Sequence, residues 1–389
     1  MVPTLLTTRQ VLHVYFDLND EQQQIKATAR EFLTSRYKPE RIRELTETDL
    51  GFEESDWQEM VELGWPGLAL PEEHGGQGLG IVELATVFEE MGYGLAPSPL
   101  ISNTVAGLAL ATCGSEDQKA EFLAPLAAGE KRGTVALIDA GSAGAIGEFE
   151  MEAQAGDGGV VLDGEKVLVL DADAADFLLV ATADGKRQIV ETDQPGVSMT
   201  QEPSIDLTRR VYSVVLEGVE VPAERTLPAD GPDYPPVLQR ICVAISAELT
   251  GIAQRTMEMA VEYAKERQQF GRPIGSYQAV SHRCAQMLLE TEGARSATYY
   301  AAWAADASPE DLPLAASMAK AYASDAGWRV ANASLQVHGG IGFTWEHDLH
   351  LWLKRAKVDS AMFGDAHWHR ERVANAILAQ VAEREPAPV

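Results

Sequence analysis

The sequence predicts an α+β protein in three consecutive parts. They are an N-terminal helical domain over residues 1–130, a middle β-barrel or sandwich domain over 131–232, and a C-terminal four-helix bundle over 233–389. Two observations carry this. Apolar residues recur at helical spacing at both ends of the chain, in longer runs at the C-terminal end. Between them lie short β-rich runs separated by Gly, Asp and Pro, with no room for a helix of ordinary length.

In the first part, LNDEQQQIKATAREFL (18–33) offers Asn19 or Asp20 as a helix cap and places Ile25, Ala29 and Phe32 on one face. SDWQEMVELG (55–64) predicts a second helix, capped at Ser55 or Asp56 and stopped by Gly64. Pro71 and its neighbouring glycines interrupt the pattern, which resumes in IVELATVFEEMGYG and continues to near Leu126. The middle part reads as strands in GTVALIDA, GGVVLDGEKVLVL, ADFLLVATAD, RQIVETD and YSVVLEGVEVP. The last part predicts helices over 241–267, with Gly251 as a weak point, and over 277–305, 312–338 and 366–382.

Composition narrows the function. Hydrophobic residues make up 46% and charged residues 23%, a folded rather than disordered profile. A formal net charge of −28 argues against nucleic acid or an anionic membrane as partner. Cys113, Cys242 and Cys284 form no CxxC pair, and no apolar run reaches a membrane span. The first 14 residues hold too short an apolar core for a secretory signal, so a cytoplasmic location is expected. The glycines at 75–80 and at 141–147 do not make G-x-G-x-x-G. His347 and His350, and His367 and His369, lack any HExxH context, so no metal is expected.

Three segments carry more specific information: GWPGLALPEEHGGQGLG (64–80), ERQQFGRPIGSYQAV (266–280) and LQVHGGIGFTWEHDLHLWLKRAK (335–357). Occurring together in this order, they resemble the acyl-CoA dehydrogenase family over residues 18 to about 382. The resemblance implies the acyl-CoA dehydrogenase fold and FAD as cofactor. It also implies α,β-desaturation of an acyl-CoA substrate, with an acceptor such as electron-transfer flavoprotein. FAD carries a pyrophosphate, which needs Arg, backbone N–H groups or a helix N-terminus. The family's R-x-x-F-G element falls on Arg267, Gln269 and Phe270, its F-Q glutamine on Gln278, and its Q-x-x-G-G element on Gln336, Gly339 and Gly340. Taken singly, Arg267 also reads as a solvated helix-end cation, Phe270 as core, and the glycines as a helix cap. Arg240 is a candidate for steering the anionic CoA portion.

The sequence departs from the family where chemistry is expected. Removing an α-proton needs a carboxylate of raised pKa. Counting from Ala356 and Lys357 and anchoring on Gly364, the usual glutamate falls at Phe363; the family's second position falls at Ile241. Neither accepts a proton. Asp365 reads as a helix N-cap or as a substitute base, and Glu248 as a poorer candidate. The loop that serves the flavin ring reads Ile138, Asp139, Ala140, Gly141, Ser142, Ala143, Gly144, Ala145, without the family's hydroxyl and proline positions. The family's ring-covering aromatic falls at Leu168 and a hydroxyl at Leu170.

In this family, one chain holds the flavin ring and its neighbour lends the R-x-x-F and Q-x-x-G-G elements. This chain keeps what it would lend and lacks what its own ring would need. It therefore resembles the diverged subunits of hetero-oligomeric acyl-CoA dehydrogenases of steroid side-chain breakdown, which implies a second family subunit in a heterotetramer and a polycyclic acyl group. The alternatives are a homo-oligomer using Asp365 as base, and a non-redox protein that binds CoA esters.

Overall fold

The computed structural model describes residues 17–142, 149–229 and 236–384. The segment 143–148, which carries Ala143, Gly144 and Ala145, lies outside them, as do the stretch with the 232/233 boundary and both chain ends.

Among the described residues of the first part, six α-helices form: α1 (Asp20–Arg36), α2 (Pro39–Thr46), α3 (Glu54–Glu62), α4 (Ile81–Gly94), α5 (Leu100–Cys113) and α6 (Glu116–Ala127). Asn19 caps α1 in a capping box with Gln22, satisfying two orphan N–H groups. The cap expected for α3 is corrected: its N-cap is Glu53, without a side-chain bond. Asp56 is instead turned inward, 3.1 Å from Arg36.

The middle part is two sheets, not a closed barrel, among the described residues. β1 (Gly133–Ala136), β5 (Phe177–Ala181), β6 (Arg187–Glu191) and β9 (Thr226–Leu227) make one. β2 (Ile138–Asp139), β4 (Gly159–Leu170), β8 (Val211–Pro222) and β7 (Val197–Gln201) make the other, with β3 (Ala153–Gly156) on β4. Among the described residues of this part, only β1–β5 is a parallel pair. β3 and β7 are exposed or half-buried edges without a continuous apolar face, which is why they escaped the sequence reading.

The last part comprises α7 (Pro236–Glu266), α8 (Gln278–Ala307), α9 (Leu312–His338), α10 (Leu349–Ala361) and α11 (Ala366–Arg384). A two-residue hairpin, β10 (Gln268–Gln269) and β11 (Arg272–Pro273), links α7 to α8. α10 was not expected as a helix of its own. By length and composition α7 is the one described helix that could cross a membrane; here it is buried within the bundle. Gly251 is its crossing point with α4: a Cβ there would lie 1.8 Å from the Glu89 carbonyl oxygen, and one on Gly92 2.0 Å from that of Glu248. Two glycines thus let the helical domains pack backbone to backbone, where any side chain would force them apart.

Candidate functional site

A cavity of about 720 Å³ opens between the middle sheets and the α10–α11 turn. Its walls are mostly apolar, with Leu137, Ile138, Val167, Leu168 and Leu170 on the strand side facing Met362 and Phe363 on the helix side, and with Ser102, Thr134, Glu202, Ser204, Lys357 and Asp365 also on the lining. Leu168 and Phe363 both have left-handed backbones, φ 56° and 53°. Bulky side chains rarely adopt that conformation, so each is held by its surroundings. For Leu168 the cause is a register irregularity between Lys166 and Val169 in the β4–β8 ladder.

Phe363 sits in a turn tied from several sides. His369 Nε2 lies 3.1 Å from the Phe363 carbonyl oxygen, and the Cys242 thiol donates to the same oxygen at 3.6 Å. Lys320 Nζ donates to the carbonyl oxygens of Gly364 at 3.0 Å and Ser360 at 3.3 Å. Asp365 lines the cavity, and its Oδ1 accepts the Trp368 backbone N–H at 2.8 Å, capping α11. Burial pushes the Lys320 amine down to about 8.

Behind the turn lies a buried charge network. Glu248 accepts from Arg209 at 2.9 and 3.0 Å and from Arg355, while Arg355 also binds Asp206 and Arg209 binds Asp359. Burial alone would raise the Glu248 carboxyl, but Arg209 and Arg355 outweigh it and hold it below its usual range. Asp359 goes the other way, raised by burial and by Glu248. Glu248 is therefore an ionised structural group, not a base facing the cavity. Ile241 is fully buried in α7 and does not line the cavity.

A second set of residues gathers at one end of the bundle. Phe270 and Gly271, φ 51° and 78°, form the tip of the β10–β11 hairpin. Positive φ at both central residues is the geometry of a two-residue type I′ turn. Phe270 is 94% exposed. The hairpin is braced by the Tyr277 hydroxyl, which donates to the Gln269 carbonyl oxygen at 3.0 Å. The end of α9 joins it through His338, stacked on Tyr263 of α7 at 4.7 Å. Gly339 has φ 65°, and a Cβ on Gly339 or Gly340 would meet nothing within 4 Å.

The N-terminal region, residues 19–130, matches the acyl-CoA dehydrogenase N-terminal domain, and residues 238–378 match the acyl-CoA dehydrogenase C-terminal domain. Acyl-CoA dehydrogenase IpdE2 of Mycolicibacterium smegmatis is 31% identical over 349 residues, covering 89% of this chain and 96% of that one. This chain belongs to the acyl-CoA dehydrogenase family.

Two solved structures agree with this assignment. A variant of the Tcur3481–Tcur3483 steroid ACAD matches with a TM-score of 0.85 at 31% identity, covering 93% of this chain and 99% of that one. The ChsE4–ChsE5 complex from Mycobacterium tuberculosis matches with a TM-score of 0.86 at 28% identity, covering 96% of this chain and 100% of that one. The chain is thus an oxidoreductase-family protein with the acyl-CoA dehydrogenase fold.

Within that family, the residues singled out from the sequence fall into two places. Phe363, Asp365, Leu168 and Leu170 meet at the cavity. Arg267, Gln269, Phe270 and Gln278 lie exposed on the hairpin and the start of α8. Gln336 and Gly340 are exposed at the end of α9, beside the half-buried Gly339. None of this second set lines the cavity. Arg240 does not line it either; its Nη1 donates to the Pro236 carbonyl oxygen at 3.2 Å, and burial lowers its pKa.

Sequence reasoning missed Lys320 and the Arg209–Arg355 network. For Lys320 the signal was present as a charge inside an apolar helical run, AASMAKAYASDA.

Proposed function

We propose that this acyl-CoA dehydrogenase is the diverged subunit of a hetero-oligomer and completes the FAD site of a second, catalytically complete family subunit. The observation that carries this is the separation just described. Arg267, Gln269, Phe270 and Gln278, which this reading assigns to the dinucleotide, sit exposed at one end of the bundle, while Phe363, which it assigns to the position of the family's base, lines the chain's own cavity. The two ends of FAD meet different environments. At the exposed end, Arg267 makes no ion pair among the described residues, and Gly339 and Gly340 leave the backbone open to close approach, so the residues fit a pyrophosphate and adenosine. At the cavity, Leu168 stands where the family's ring-covering aromatic would fall and Leu170 where its hydroxyl would fall, and in this reading these residues do not fit the isoalloxazine.

When bound, FAD supplies the hydride acceptor for α,β-desaturation of an acyl-CoA. In this reading the present chain contributes Arg267 as the countercharge, Phe270 and Gln278 as lateral contacts, and the backbone at Gly339 and Gly340. Exposed apolar side chains on α8, α9 and α11 support an oligomer: Leu289 is 64%, Met318 47% and Leu378 65% exposed. A polycyclic acyl group is the substrate we favour, with electron-transfer flavoprotein as acceptor.

The test is flavin absorbance of the purified chain, alone and co-expressed with a family subunit that carries its glutamate. The expected result is a colourless chain that becomes part of a yellow complex bleached by acyl-CoA. A chain that is yellow and bleaches by itself overturns the reading. It would favour a homo-oligomer using Asp365, which does line the cavity.

A further inference from the structure

We infer that His338, beneath the glycine turn at the end of α9, supplies a titratable countercharge for a pyrophosphate, so that this end of the bundle holds a dinucleotide more tightly as pH falls. The inference rests on the subunit reading above and adds a regulating residue to the cofactor contacts named there.

Neighbours on three sides place the ring. His338 is 5% exposed, stacked on Tyr263 of α7 at 4.7 Å and met edge-on by His347 at 4.5 Å. The turn that follows folds back over it: a Cβ on Gly342 would lie 3.0 Å from the His338 Cβ. His338 is joined directly to Gly339, and at Gly339 and Gly340 the backbone is open. A charge on this ring therefore lies under the turn whose open side is offered to the ligand.

Hydrogen bonding fixes both tautomers. His338 Nδ1 lies 2.8 Å from the Ser334 carbonyl oxygen, which can only accept, so Nδ1 carries the hydrogen and Nε2 keeps a lone pair. His347 Nδ1 accepts the Leu349 backbone N–H at 3.2 Å, so its hydrogen is on Nε2. Protonating His347 breaks that bond, whereas protonating His338 at Nε2 breaks none. His338 is the member of the pair that takes a proton, and the first proton opposes a second. The Tyr263 ring favours the charged form.

Burial lowers the His338 pKa from its ordinary value, the Ser334 carbonyl opposes this, and His347 lowers it further. Burial also lowers that of His347, against the pull of Asp348. Tyr263 from α7, His347, and Asp348 behind it are the titratable groups on this side of the turn among the described residues. A pyrophosphate on the Gly339–Gly340 backbone brings negative charge to the same turn, which favours the imidazolium and raises its pKa. Affinity is then flat at high pH, rises as pH falls through the ligand-bound pKa, and levels off below the ligand-free one.

The complex with a flavin-bearing family subunit is freed of flavin and titrated with FAD or with riboflavin, which has the same ring system and no phosphate. The FAD dissociation constant should fall about three- to tenfold between about pH 8 and pH 5.5, and that of riboflavin should stay flat. His338→Gln keeps a neutral donor toward Ser334 and should abolish the FAD slope. His347→Asn keeps an acceptor for the Leu349 N–H, removes the opposing ring, and should move the rise to higher pH. A flat FAD profile, a slope that riboflavin shares, or one that survives His338→Gln overturns the inference. If His338→Gln does not fold, an unshifted rise in His347→Asn overturns it. In each of these outcomes a complex that still binds FAD leaves the subunit reading standing. A lone chain that is yellow overturns that reading instead, and the same two titrations on it still decide the role of His338.

Discussion

The imidazole of His369, at the start of α11, reaches back 3.1 Å from Nε2 to the carbonyl oxygen of Phe363. The contact closes the turn that puts Phe363 on the cavity wall, and it makes Nε2 the protonated nitrogen of a neutral ring. Burial, and then the nearby Lys320 charge, push the His369 pKa down to about 3 from its ordinary 6.5.

A pH dependence follows. Below 6.5 the unfolded chain takes up a proton at His369 that the folded chain refuses, so this contribution is complete above that pH and declines as pH falls toward 3. By pH 5 the loss is about 2 kcal/mol. Urea unfolding at pH 7 and pH 5 measures it. His369→Gln keeps a neutral donor and should flatten the difference; an unchanged slope would mean that other groups carry it.

The charge network behind the turn predicts a larger effect. Glu248 is the common partner of Arg209 and Arg355. Glu248→Gln leaves two guanidinium groups with less than their charge balance in a buried site, a change that costs about 3–5 kcal/mol. Chemical denaturation should show that loss, in proportion to any loss of activity. A variant of normal stability whose complex has lost turnover would instead make Glu248 a base.

What could be read from the sequence divides along physical lines. Helices with one apolar face, such as α1 over Asp20–Arg36, which buries Ala29 and Leu33, were legible because burial sets the periodicity. α10 was not, because LHLWLKRAKVDSA buries Leu349, Leu351, Trp352, Arg355, Ala356 and Asp359, mixing charged with apolar residues on its inner face. Gly251 looked like a defect in α7 and is a helix crossing, which only the partner helix can reveal. Phe270 illustrates the same limit at the site. Alone it reads as core, whereas a hairpin holds it 94% exposed. The family resemblance assigns Arg267, Phe270, Gly339 and Gly340 to the dinucleotide and Phe363 to the usual carboxylate position by motif alone, which fixes neither the exposure of the first set nor the cavity that holds the second.

Phe270 gives a prediction in which stability and function move apart. Its left-handed backbone is unfavourable for an aromatic residue but ordinary for asparagine. Phe270→Asn should therefore leave the thermal midpoint unchanged or raise stability by up to about 1 kcal/mol. In a complex with a flavin-bearing subunit, the same substitution should lower flavin retained per complex on dilution. Unchanged flavin retention would remove Phe270 from the cofactor site.

Asp365 separates the two catalytic readings, because its carboxylate both caps α11 and lines the cavity. Asparagine preserves an N-cap acceptor, whereas alanine does not, so Asp365→Ala should lose about 1 kcal/mol of stability and Asp365→Asn only a small part of that. If the partner subunit carries the base, both variants should leave turnover of the complex near wild type once the protein is folded. If Asp365 is the base, Asp365→Asn should abolish turnover while flavin stays bound, since an amide cannot accept the α-proton. Measuring stability and acyl-CoA-dependent flavin bleaching on the same Asp365→Asn preparation decides between them: a well-capped, yellow and inactive protein would place the proton transfer in this chain after all.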